Sequence, residues 1–450
     1  MSRAQWIALL VCTLGGLATA SALDMPLVIG FLAGFAALLL LIRRHGFTWR
    51  DVARPLFQGM IETREVIWIL VCVGILIPAW TACGTIPYMI DLGIGLVPPA
   101  WFLTGSFLLS TAVALLLGTS TGTLSFVGIP LIGVSATLGV PLGAAAGALV
   151  SGAFVGERCS PFSSARKLVG VSTATSLRPL SPELLPTALI GVVAAAIAYI
   201  LMDGQGGWSL PADHPTGTMY AGTFAYSPWL LLPPAALLAA NLLRWKTRNA
   251  FLLSIAVAIA VGMATQAFDP QVWLHYIAYG YDDISQPSLH GKGLVHMIEL
   301  VSLIAVAGAF NGTLQHTKLA DGLWESIVGK SRALAAGTVR VGLFGLVLCL
   351  VCCTQTLPIM MSGRNLLPSW RKTFTPEQLN RVVSDTTLLF APLVPWNLLA
   401  LLCATILGVD VLAFLPYAVF LWTVPIATVA VSTVYDWKKK RSVSVKSLIR

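Results

Sequence analysis

Apolar runs of roughly 17 to 25 residues, the length a helix needs to cross hydrocarbon, recur from one end of this chain to the other. They lie near 5–21, 26–42, 65–83, 99–117, 123–139, 141–157, 183–202, 227–243, 249–267, 294–312, 334–353, 354–369, 382–408 and 411–433. Only 10% of the 450 residues are charged, against about 25% in a soluble domain, too few to coat a water-facing globule. The fold class that follows is an all-α polytopic membrane protein with about 12–14 transmembrane segments. A soluble enzyme, a disordered chain and a disulfide-framework domain are excluded.

The net charge of +9 is no nucleic-acid signal, because the basic residues sit in short connections between apolar runs, where they set topology. With a cytoplasmic N-terminus, inside connections hold Arg43, Arg44, Arg50, Arg54 and Arg64, then Arg158, Arg166, Lys167 and Arg178. They continue with Arg244, Lys246 and Arg248, then Lys318, Lys330 and Arg332, then Arg371, Lys372 and Arg381, and end in the tail Lys438-Lys439-Lys440-Arg441. Outside connections near Asp24, 84–98, 203–226 and 269–293 hold a single basic residue, Lys292. Both termini are therefore expected in the cytoplasm. Arg3, an apolar run and Ala18-Thr19-Ala20 have the form of a signal peptide, but segment 26–42 follows at once, so a retained helical hairpin is expected. The eight cysteines lie in or beside apolar segments without zinc-like spacing and read as packing residues.

The chain repeats itself at an offset of about 230 residues. Trp80-Thr-Ala-Cys-Gly84-Thr85 matches Gly308-Ala-Phe-Asn-Gly312-Thr313. Leu117-Gly118-Thr119-Ser120-Thr121-Gly122-Thr123 has its counterpart in Cys352-Cys353-Thr354-Gln355-Thr356, and Ser160-Pro161-Phe162 in Ala391-Pro392-Leu393. The charge-based topology sends 65–83 and 294–312 across in opposite directions. Two inverted repeats with interrupted helices are a transporter architecture, since pseudo-equivalent halves can exchange conformations about a central site. The domain organisation expected is a hairpin and basic loop at 1–64, a first transport repeat at 65–202 and connecting helices with exterior loops at 203–293. A second, inverted repeat follows at 294–433, then a basic tail at 434–450.

Charges in apolar segments cost roughly 2.5 kcal/mol or more each on insertion scales, so each needs a reason. Asp385 stands in a segment broken by Pro392 and Pro395, which cannot donate backbone hydrogen bonds. Asp385, Thr386, Thr387 and Asn397, with carbonyls freed by the break, would form an oxygen cage for Na⁺ or hold a proton; alternatively Asp385 is a helix N-cap. Glu157 lies in a stretch that Gly156 and Pro161 mark as interrupted, with Ser160, Ser163 and Ser164 offering hydroxyls, or it pairs with Arg158 at the cytoplasmic edge. Glu299 follows His296 by three residues on one helical face, as a proton relay or a structural pair. Thr119, Ser120, Thr121 and Thr123, with Gly122 as a break, read as an unwound stretch facing a ligand, and Thr354, Gln355 and Thr356 as their counterparts. Gly143-Ala-Ala-Ala-Gly147 is assigned to helix contact.

These residues resemble the NhaC-type sodium/proton antiporter family, within the wider ion-transporter superfamily. The resemblance rests on Gly118-Thr-Ser-Thr-Gly-Thr123, on Ser151-Gly-Ala-Phe-Val-Gly-Glu-Arg-Cys-Ser-Pro-Phe-Ser-Ser-Ala-Arg166, and on Ser384-Asp-Thr-Thr-Leu388 followed by Ala391-Pro-Leu-Val-Pro-Trp-Asn397. It implies cation-coupled secondary transport in a bacterial inner membrane, with Na⁺ or H⁺ as coupling ion, no cofactor, and the motif residues lining the path. Its departures are Ser164, where the family carries Asp, and Ala165-Arg166, where it carries a Thr pair. Arg166 would either capture a carboxylate bidentately, giving Na⁺- or H⁺-coupled transport of a small carboxylate or amino acid, or reach to the inner headgroups. The expected partners are the bilayer and a small ion or solute, with room left for a homodimer. A membrane-embedded enzyme would need a catalytic set such as His-Glu-x-x-His or Gly-x-Ser-x-Gly, and the chain is read as no enzyme.

Overall fold

A computed structural model describes residues 3–176, 182–208, 220, 223–266, 270–281, 291–317 and 333–448. Arg178, Lys318, Lys330 and Arg332 of the charge-based topology lie outside these residues. The described residues are helical apart from short connections and one two-residue hairpin pairing Gly280-Tyr281 with Gly291-Lys292.

Among the described residues ten helices are long and apolar enough to cross a bilayer, or up to eleven with the pair Pro376–Leu393 and Leu398–Leu407, bent by 57°, taken as one span. The expected 12–14 segments resolve into these spans plus shorter pieces. Pro228–Leu242 is a short apolar helix. The run at 354–369 is three pieces: helix Thr356–Met360, a π-helical turn at Met361–Asn365 and helix Leu367–Trp370. The connection expected at 84–98 is largely a helix, Thr85–Leu96, whose buried Asp91 accepts the Tyr226 hydroxyl at 2.5 Å.

The internal repeat is present element by element. In the first half, helix Phe102–Leu117 ends on Gly118 with φ +71°. Extended Thr119, short helix Ser120–Thr123, a π-helical turn at Leu124–Gly128 and helix Ile129–Thr137 follow. In the second, helix Leu334–Cys352 ends on Cys353, also left-handed at φ +51°, before the three pieces just described. Gly118 corresponds to Cys353 and Gly128 to Gly363 at one offset. The interlock is reciprocal. A side chain at Gly128 would run into Leu407 of the second half, and one at Gly363 into Ser172 of the first.

Each half also closes with the same device. Asp203, buried at the end of helix Leu185–Gly206, accepts the amides of Leu103 and Thr104 at 3.0 and 2.9 Å, at the start of the first long helix. Asp436, on the last helix, accepts those of Leu334 and Ala335, both at 2.9 Å, at the start of its counterpart. A carboxylate on exposed helix amides satisfies donors that hydrocarbon cannot and complements the helix dipole. Asp203 adjoins a connection with no basic residue and Asp436 a run of four, Lys438 to Arg441.

Gly156 was expected to break its helix, and it does not. Helix Leu142–Cys159 runs straight through it. A Cβ at Gly156 would overlap the Ala114 backbone, and one at Gly152 that of Phe107, so these glycines let two helices touch. Gly122 likewise lies inside helix Ser120–Thr123, the left-handed break falling at Gly118. Pro161, Pro392 and Pro395 do mark interruptions. Gly156→Val should cost about 1–3 kcal/mol by overpacking and lower the unfolding temperature in detergent. Gly15→Ala, where a Cβ meets nothing within 4 Å, should leave it unchanged.

Candidate functional site

Where both halves unwind, their polar residues meet in one cavity of about 370 Å³. The first half contributes Thr119, Ser120, Thr121, Glu157 and Ser164, the second Asn311, Thr354, Gln355 and Thr356. Glu62, Thr63, Thr247 and Gln315 line it too, and Glu62 and Gln315 are exposed at its rim. Val66, Ile69, Met360, Leu398, Leu399 and Leu402 supply an apolar wall. No Lys, Arg or His is among the described lining residues.

The polar wall is held by local bonds that replace lost helix geometry. Thr119, the N-cap of Ser120–Thr123, lies 3.1 Å from the Thr121 hydroxyl and accepts the Gly122 amide at 3.5 Å. The Thr123 hydroxyl donates to the Thr119 carbonyl at 2.8 Å. Across the cavity, Asn311 Nδ2 donates to the Cys352 carbonyl at 2.8 Å and to the Thr354 hydroxyl at 3.3 Å. Gln355 Nε2 donates to the Leu388 carbonyl at 3.0 Å. Glu157 is 8% exposed. Ser120 lies close to its carboxylate, while its Oε2 has no hydrogen-bond partner, and neither has Asn311 Oδ1. Two buried acceptors without donors, lining one cavity, are what a cation or a proton would satisfy.

Asp385 is not in this cavity. It is fully buried and accepts both Nε and Nη2 of Arg158 on Oδ1, at 2.7 and 2.5 Å. Arg158 also donates to the Leu184 carbonyl at 3.1 Å and the Thr187 hydroxyl at 2.6 Å. The oxygen cage expected around Asp385 is thus dispersed, because a guanidinium already neutralises the carboxylate. The Thr386 hydroxyl donates to the Val382 carbonyl at 2.6 Å and Thr387 to Ser362 at 3.3 Å. Asn397 caps helix Leu398–Leu407, accepting the Leu399 amide at 3.1 Å. The alternative pairing of Glu157 with Arg158 also fails, since neighbours on a helix point about 100° apart: Glu157 turns to the cavity and Arg158 to Asp385.

Ser160 and Ser163 shape the turn after helix Leu142–Cys159. Ser160 donates to the Leu115 carbonyl at 2.8 Å, and Ser163 caps the next helix by accepting the Arg166 amide at 3.1 Å. Arg166 donates to the Cys159 carbonyl at 2.6 Å and is not among the cavity residues. Glu299 and His296 are exposed near the start of helix Leu294–His316. Glu299 accepts the Leu27 amide at 3.1 Å, so the proposed relay does not reach the cavity. Gly118-Thr119-Ser120-Thr121-Gly122 does satisfy Gly-x-Ser-x-Gly, contrary to the expectation that such a set is lacking. Ser120 follows a helix rather than a strand, and no histidine is among the described cavity residues, so the nucleophile-elbow context is missing.

Sequence reasoning missed Asn311, Glu62 and the role of Arg158. Asn311 carried a signal, being a polar residue inside an apolar run that matches the end of segment 65–83. Arg158 carried none beyond its burial, which only packing reveals.

Two interlocked repeats of broken helices around a polar cavity define a helical membrane protein built for alternating access. A profile of the Na⁺/H⁺ antiporter family matches residues 170–435, and the chain belongs to that family. It is 28% identical over 402 residues to the Na⁺/H⁺ antiporter NhaC of Alkalihalophilus pseudofirmus, covering 85% of this chain and 84% of that one. It is 27% identical over 414 residues to the NhaC of Bacillus subtilis, covering 86% and 88%. To the malate-2H⁺/Na⁺-lactate antiporter of Bacillus subtilis it is 25% identical over 433 residues, covering 93% and 90%.

Removing one partner of a buried ion pair strands a charge at about 3–5 kcal/mol, whereas replacing both with apolar groups is often neutral. Arg158→Met should therefore lower thermal stability in detergent strongly, and Arg158→Met with Asp385→Leu should recover most of it.

Proposed function

We propose that the chain is a secondary active transporter exchanging Na⁺ for H⁺ across the bacterial cytoplasmic membrane, with Glu157 as the carboxylate that holds one or the other. The observation carrying this is the buried Glu157 Oε2 without a donor, in a cavity lined by both repeats and, among the described residues, by no basic side chain. A carboxylate in that setting carries a proton or binds a cation beside hydroxyl and amide oxygens, and occupancy by one excludes the other. That exclusion is exchange. Membership of the Na⁺/H⁺ antiporter family supports the same cargo.

The rim residues Glu62 and Gln315, with Thr247, adjoin the basic connections at 43–64 and 244–248. The distribution of Lys and Arg supports a cytoplasmic rim and cytoplasmic termini, and with them an inward-facing conformation. Asp385 and Arg158 act as positioning residues that join the halves. Transport of a carboxylate, as in the malate-lactate relative, would need a cation at the site. Arg166 instead binds the Cys159 carbonyl, and Lys167 is exposed.

In proteoliposomes with an imposed proton gradient, added Na⁺ should dissipate the gradient in wild type. Glu157→Gln should abolish the response, and Glu157→Asp should keep a weaker one. A full response from Glu157→Gln, monitored by a pH-sensitive dye, would sink this assignment.

A further inference from the structure

The cavity is far larger than Na⁺ needs. Its volume of about 370 Å³ equals roughly a dozen water molecules at about 30 Å³ each. A bare ion at Glu157 Oε2 would fill a small part of it. Asn311 Oδ1 and the apolar residues Ile69, Met360, Leu398 and Leu402 line the same cavity. Among the described residues both charged groups lining the cavity, Glu62 and Glu157, are acids, which favours a cationic solute over an anionic one.

Resting on the reading of Glu157 as the cation site, we propose that the cavity also takes a small organic cation with N–H donors and a short alkyl tail, of the alkylguanidinium class. The cationic head would satisfy the Glu157 carboxylate with charge-assisted hydrogen bonds, and the Asn311 amide oxygen is a second acceptor without a donor on the cavity wall. The tail would lie against the apolar wall and displace water, at a gain of about fourfold in affinity per buried methylene. Such a cation competes with Na⁺ for Glu157 and distinguishes this site from one shaped around a bare ion.

The test is isothermal titration of detergent-solubilised protein with guanidinium, methyl-, ethyl-, propyl- and butylguanidinium chloride, each with and without Na⁺. These probes stay charged at neutral pH and do not carry protons as permeant amines do. The expected result is competition with Na⁺ and an affinity rising about fourfold per methylene. Glu157→Gln should lose binding of the whole series. Ile69→Thr should keep guanidinium binding while flattening the dependence on chain length. An affinity independent of chain length in wild type, or binding retained in Glu157→Gln, would overturn the proposal. Gradient dissipation by Na⁺ in proteoliposomes of the same variants separates the two readings. Exchange lost in Glu157→Gln beside a flat guanidinium series defeats only the organic-cation site. Exchange that survives in that variant defeats the Na⁺/H⁺ reading beneath it.

Discussion

Hydrocarbon supplies no hydrogen bonds, so a helix can unwind inside a membrane only where the protein replaces every partner the backbone loses. The architecture answers that constraint twice. At Gly118 and at Cys353 a long helix ends on a left-handed residue, and the next residues leave helical geometry. The Thr119, Asn311, Gln355 and Asn397 side chains then take up the loosened backbone and neighbouring carbonyls. Unwinding in both halves turns hydroxyls and amides toward one another, and the cavity is the space between. Asp203 and Asp436 meet the same constraint at the ends of the long helices.

Two buried carboxylates have opposite fates within this frame. Asp385 is bonded by the Arg158 guanidinium, which is held in turn by Leu184 and Thr187. The pair ties the second half to the first, although Asp385 Oδ2 has no hydrogen-bond partner. Glu157, one residue from Arg158 but turned away from it, also keeps an oxygen with no donor, and it lines the cavity. A transporter needs both kinds of group: a neutralised pair that joins the moving halves, and a carboxylate whose partner can change. Glycines such as Gly152 and Gly156 let the backbones approach closely enough for this arrangement.

Much of this is legible in the sequence. Apolar runs and missing charge give the fold class, and the matched strings around Gly118 and Cys353 give the repeat and most of the polar wall. Thr119 to Thr121, Ser164 and Thr354 to Thr356 fall on the cavity as their pattern suggests. What resists reading is direction. Glu157, Arg158 and Asp385 are all charges in apolar surroundings, and nothing local says which two will pair, because the contact joins residues 227 positions apart. The prolines near Asp385 made it look open, whereas the packing of helix Leu142–Cys159 closes it. Asp203 was similarly unreadable, since its partners Leu103 and Thr104 lie about a hundred positions earlier.

The central claim is that Na⁺ and H⁺ exclude one another at Glu157. Proton release on adding Na⁺ to solubilised, weakly buffered protein tests it without any need for vesicles. Wild type should acidify the solution on Na⁺ addition, as should a variant in which Arg158→Met and Asp385→Leu are combined, while Glu157→Gln should release nothing. Release that persists in Glu157→Gln but vanishes with loss of the Arg158–Asp385 pair would contradict the account and return the exchange site to Asp385.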